Sequence, residues 1–211
     1  MTNSKFIHYD RANRLEYKIG DSFENNYIGL PGYFGEFLSW NVHLRWLSSY
    51  VYDPEQKPIS NLKQSIEELE FSIFGDINRV KLYKDLIFEQ VRREKFNDKP
   101  SRLYSIFFSE VIRDDEWREL LLKSHFLDSF QYVFEIIEVV KFHKAYTFYF
   151  EQKFAFDKYD EIVENAKLYW EGIVPDNKPD ALPEVLFVGK ATVVDKVLIT
   201  PNNANPITAD F

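Results

Sequence analysis

Cysteine is absent from the 211-residue chain, which excludes disulfides, thiolate metal sites and a cysteine nucleophile. Glycine numbers only 7, and none falls in a GxGxxG or GxxxxGKS/T pattern, so the two common phosphate-cradling loops are missing. HExxH and GxSxG are missing as well. The four histidines, His8, His43, His125 and His143, have no mutual spacing suited to a metal, and no metal cofactor is expected. The first residues, MTNSKFIHYD, lack the apolar stretch of a secretory signal, and no run reaches the roughly 18 apolar residues of a membrane span. The expectation is a soluble, cytoplasmic protein. A formal net charge of -8 argues against a broad electrostatic grip on nucleic acid, which needs a concentrated basic surface.

Aromatic residues, by contrast, are plentiful. With 20 Phe, 13 Tyr and 4 Trp, much of the core must be built from rings, and the buried Tyr and Trp tips need hydrogen-bond partners. The length fits a single domain over 1–200 with a loose tail over 201–211. Lys5 to Tyr9 reads as an opening strand. The glycines, prolines and rings from Asp21 to Pro58 read as an aromatic excursion suited to a lid or a partner surface.

Helical spacing begins at Leu62, Ile66, Leu69 and Ile73 behind a Ser60 cap, with Gly75 as the stop. A second helix is predicted from about Asn78 to Lys95, with Leu82, Leu86, Ile87 and Val91 on one face. Arg102 to Ser109 reads as a strand, Asp114 or Asp115 caps a short helix, and Tyr132 to Val140 reads as a further strand. Ala145 to Phe154 is expected to pair beside it. Tyr159, Ile162, Val163, Ala166 and Trp170 mark an amphipathic helix closed by Gly172, with Tyr169 and Trp170 in the core. Two last strands are expected at Glu184 to Val188 and Thr192 to Ile199. The order predicts an α+β fold.

Polar residues at strand edges supply the candidate chemistry: His8 and Tyr9 on the first, Arg102 and Ser105 on a middle one, Glu184 on a late one. Guanidinium binds pyrophosphate in a bidentate way, and His, Ser and Tyr bond ribose hydroxyls and a carboxamide, so the set suits a dinucleotide. The alternative reading gives Arg102 a helix acid, Glu89 or Glu94, as its partner. Glu135 and Glu138, three apart on one strand and so on opposite faces, rival Glu184 as the functional acid.

Phe88-Glu89-Gln90-Val91-Arg92, then Phe96, then Pro100-Ser101-Arg102-Leu103-Tyr104-Ser105-Ile106-Phe107 follow a pattern FExVRxxxFxxxPSRLxSxF. Together with Tyr169-Trp170-Glu171-Gly172 and the stretch Pro183 to Ile199, this resembles a bacterial and phage branch of the ADP-ribosyltransferase superfamily. The resemblance implies a split, mostly antiparallel sheet with flanking helices, and NAD as substrate. It also implies a first-strand His8, a Tyr104 and Ser105 element and a late-strand Glu184 around the nucleotide. On that reading Glu184 stabilises an oxocarbenium-like state, as in glycoside hydrolysis. Arg102 then clamps phosphate, His8 holds a ribose, and Tyr9 or Tyr104 stacks on nicotinamide. Protein-arginine-modifying members carry a second Glu two residues before the catalytic one, where this chain has Leu182. The implied acceptor is therefore another macromolecule, with nucleic acid preferred, in a toxin, defence or phage-host setting. The competing expectation is an inactive interaction protein that keeps the fold and docks a protein partner through the aromatic 27–52 segment.

Overall fold

The computed structural model describes residues 4–10, 17–25, 77–102, 105–123, 129–152 and 159–199. The helix expected behind Ser60, the 27–52 segment, Tyr104 and the tail lie outside them. Where the sequence predicts one domain, the contacts divide into two compact units. The first comprises 1–26, 106–144 and 182–211, and the second 27–105 and 145–181.

The first unit is a sheet. Its strands are β1 (Lys5–Asp10), β2 (Ser22–Asn25), β3 (Ile106–Glu110), β4 (Ser129–Tyr146, whose last two residues belong to the second unit) and β5 (Pro183–Ile199). They lie in the order β2-β5-β3-β1-β4, and β5 also pairs with β4. The β1–β3, β1–β4, β2–β5 and β3–β5 pairings are antiparallel, so the α+β class and the mostly antiparallel sheet are observed. Alternation sets the core: Ile106, Phe108, Tyr132, Phe134, Val185, Phe187, Ala191 and Val193 pack together on one face. Rings meet there at favourable separations, such as Phe108 with Phe134 and with Phe187, both at 5.3 Å, each pair worth about 0.5–1.5 kcal/mol beyond its buried area.

Two expectations about strands are corrected. The last two strands are one, because Gly189 takes φ +151° and lets β5 run through without a turn. A Cβ there would lie 2.1 Å from the Glu138 carbonyl oxygen, so only glycine permits β4 to approach so closely. β4 in turn runs to Tyr146, and the strand expected from Ala145 to Phe154 is instead a short helix, Thr147–Glu151. Lys84 Nζ stabilises that helix end by donating to the carbonyls of Phe150 (2.6 Å) and Gln152 (3.2 Å).

Among the described residues the second unit contributes the helices α1 (Ile77–Lys95), α3 (Thr147–Glu151) and α4 (Tyr159–Glu171), with α2 (Asp114–Lys123) belonging to the first unit after one 3-10 turn, Val111–Arg113. α4 buries Ile162, Ala166, Tyr169 and Trp170, the predicted stripe. It ends at Gly172, φ +73°. The Gly172 amide donates to Tyr169 O (3.0 Å) and the Ile173 amide to Leu168 O (3.1 Å), the paired bonds that satisfy the last carbonyls of a helix. Phe88, Tyr169 and Trp170 interlock edge to face, and Trp170 Nε1 donates to Phe88 O at 2.8 Å. α1 is less ordinary. Every residue from Leu86 to Arg93 is buried, charges included, so its polar side chains must find partners inside the protein.

Candidate functional site

Each unit holds a buried carboxylate around which polar side chains gather. In the second unit it is Glu89, fully buried. Its Oε1 accepts from Arg92 Nη2 and Arg93 Nε, both at 2.8 Å, and its Oε2 accepts from Arg92 Nε (3.0 Å) and Ser101 Oγ (2.8 Å). Arg92 Nη1 also donates to Lys99 O at 3.0 Å, closing the end of α1 onto the loop that follows. That loop is a turn through Arg102, because Ser105 returns both its amide (3.0 Å) and its hydroxyl (2.7 Å) to Ser101 O. The strand predicted from Arg102 therefore starts at Ile106.

Arg102 is also placed differently from the phosphate clamp that the sequence suggests. Its Nε meets Asp85 Oδ1 at 2.9 Å and its Nη1 donates to Tyr169 Oη at 2.5 Å. The guanidinium stacks 3.9 Å from the Phe150 ring centre. It is buried, and its acidic partner is Asp85 rather than Glu89 or Glu94. Phosphate would have to displace a desolvated ion pair, which is costly.

In the first unit the carboxylate is Asp114, the first residue of α2. Tyr9 Oη donates to Asp114 Oδ1, and Gln131 Nε2 donates to the same oxygen at 2.6 Å. Arg118, one helical turn on, has Nε 2.9 Å from Asp114 Oδ2 and donates from Nη2 to Gln131 Oε1 at 2.5 Å. Tyr9 and Gln131 are cross-strand partners on β1 and β4, so one acid from α2 ties two strands to the helix. Burial, and then the charge of Asp114, push the Tyr9 phenol far above its ordinary value. Tyr9 is an anchor held by its hydroxyl.

Registers show which candidates share a face. His8 opposes Tyr132, and Phe108 opposes Val185. Residues opposed across a pair point the same way, so His8 lies on the aromatic core side, where its ring is 6.5 Å from Phe134. His8 Nδ1 bonds Phe107 O at 2.8 Å. A carbonyl only accepts, so Nδ1 carries a proton. Glu184 precedes Val185 and therefore points to the opposite face, the one that bears Ile7, Ser109, Tyr9 and Gln131. It is buried, at 8% exposure. The structure thus gathers Glu184 with the polar face of the sheet and sets His8 on the other. Of the rival acids, Glu138 is exposed and Glu135 half-buried opposite Lys5.

Asp114, Arg118 and Gln131 were absent from the sequence-based set. Asp114 looks like an ordinary helix cap and Gln131 like a strand polar residue. Only the β1–β4 register reveals their convergence. Among the described residues no group of three His, Asp or Glu could hold a metal ion, and no helix is long and apolar enough to cross a membrane.

The class of protein is thus an α+β chain with a mostly antiparallel sheet and a buried polar face. Its family follows from a match over residues 6–199 to the model described as protein of unknown function, DUF2441, to which the chain belongs. No curated protein matches it.

Proposed function

We propose that the chain is an ADP-ribosyltransferase of the cytoplasm, cleaving NAD and passing ADP-ribose to a macromolecular acceptor, nucleic acid or protein, with Glu184 as the working carboxylate. One observation carries the reading. Strands β5, β3 and β1 are consecutive neighbours, so the late-strand acid and the first strand, which the superfamily resemblance associates with NAD, lie one strand apart. Glu184 adds a buried carboxylate on the same face as the hydroxyls of Ser109 and Tyr9.

The chemistry asked of it is limited. The bond between ribose C1′ and the nicotinamide nitrogen breaks, and its electron pair leaves with nicotinamide. The cationic C1′ is then taken by an acceptor nucleophile, which releases its proton to solvent. A carboxylate held out of water stabilises that cation more than the ground state, and so lowers the barrier rather than only aiding binding. The test is nicotinamide release and transfer of labelled ADP-ribose into lysate fractions, comparing the native chain with Glu184→Gln. Activity is expected to fall by about 100-fold or more, while Glu135→Gln and Glu138→Gln keep it. Nuclease or protease sensitivity of the label identifies the acceptor. If the native chain neither binds nor consumes NAD, the proposal is wrong.

A second reading, an interaction protein without activity, draws on β4. Val140 and Phe142, two apart and so on one face, are 57% and 42% exposed, an apolar pair of the kind that marks contact surfaces. Charged substitutions there that abolish partner capture while NAD turnover stays at zero would select it.

A further inference from the structure

Asp114 and Trp117 leave two hydrogen-bonding atoms unaccounted for at the junction between α2 and the sheet. Trp117 is 6% exposed, and its indole Nε1 has no acceptor among the described residues. Asp114 Oδ1 takes two donors, but Oδ2 faces Arg118 Nε at 2.9 Å only as an ion pair, with the N–H aimed outside hydrogen-bond geometry. A buried donor left alone is costly, and native interiors answer such groups with protein atoms or ordered water.

The two side chains share one neighbourhood. Asp114 and Trp117 stand three apart on α2 and so are neighbours on its surface. Both reach Tyr9: Asp114 through the phenol oxygen, and Trp117 with its ring centre 6.4 Å from the Tyr9 ring. The surroundings are polar, with Gln131 and Arg118 completing the wall. That is the setting in which a buried water is stable, since it needs two to four polar partners.

We infer that one water molecule is bound between α2 and the sheet, accepting from Trp117 Nε1 and donating to Asp114 Oδ2. It completes the coordination of the Asp114 carboxylate and so fixes the acid that holds Tyr9 and Gln131. This site is independent of the NAD reading.

The test uses the native chain with ¹⁵N-labelled tryptophan. The Trp117 indole proton should show a direct cross-peak to water with the sign of a long-lived contact, and water relaxation dispersion should count one fewer long-lived water in Trp117→Phe. An indole proton with no cross-peak to water would overturn the inference, as would a water count unchanged by Trp117→Phe. The first of these needs no variant, so a Trp117→Phe chain that fails to fold still leaves the question decided.

Discussion

The two buried acids solve the same problem over different distances along the chain. Glu89 gathers Arg92, Arg93 and Ser101, all within one helix end and its following loop. Asp114 gathers Tyr9 from the first strand and Gln131 from the fourth. The first is a local device that shapes a helix terminus. The second exists only once three distant segments have met, so its loss should be felt by the whole sheet.

The largest effect is expected from Glu89→Ala, which removes the carboxylate that two buried guanidiniums share. About 3–5 kcal/mol of unfolding free energy should vanish in a urea titration, and a loss under about 1 kcal/mol would show that water reaches Arg92 and Arg93. Gly189→Ala should come next. It combines a left-handed φ with a backbone clash, for a loss of about 2–4 kcal/mol. A near-neutral result would mean that β4 can lift away from β5. Asp114→Asn keeps an acceptor for Tyr9 but loses the charge facing Arg118, and should cost about 1–3 kcal/mol. If it costs more than Glu89→Ala, the ranking of the two hubs is reversed.

Smallest at neutral pH is Tyr9→Phe, about 1 kcal/mol, but its signature lies in alkali. The folded phenol is raised above its unfolded value of about 10, so its contribution is fully present below that pH and declines as pH rises past it. Stability of the native chain should therefore fall more steeply above about pH 10 than that of Tyr9→Phe. Parallel curves for the two chains would place the phenol in water.

The same contrast explains what was legible in the sequence. Periodicity revealed α1 and α4 nearly to the residue, because helical spacing and the Gly172 stop are local signals. The motif around Phe88 to Ser105 was visible for the same reason, although its arginines turned out to serve Glu89 and Asp85. Continuity of β5 through Gly189 was hidden, since a Gly-Lys pair between apolar runs looks like a turn until β4 lies against it. The short helix at Thr147–Glu151 was hidden too, because its rings also suit a strand. For the candidate site, His8, Tyr9 and Glu184 are visible as strand residues, but the face of each depends on register, which no single-chain pattern carries; alternation sets His8 and Glu184 on opposite faces.

The interleaving of the two units bears on how the protein is made. Ser22 on β2 pairs with Thr192 on β5, and Phe107 on β3 with Leu186. A chain emerging from the ribosome therefore holds β1, β2 and β3, complete at Glu110, until β5 begins at Pro183, without the strand that joins two of them. Closing such distant pairs is slow, because loop entropy is lost before contacts reward it. The second unit lies wholly before β5 in the chain, so its helices are free to form while the sheet waits. A chain halted after Ala181 should keep helical signal yet expose the aromatic face of β3 and β4, and bind hydrophobic dyes that the full chain ignores.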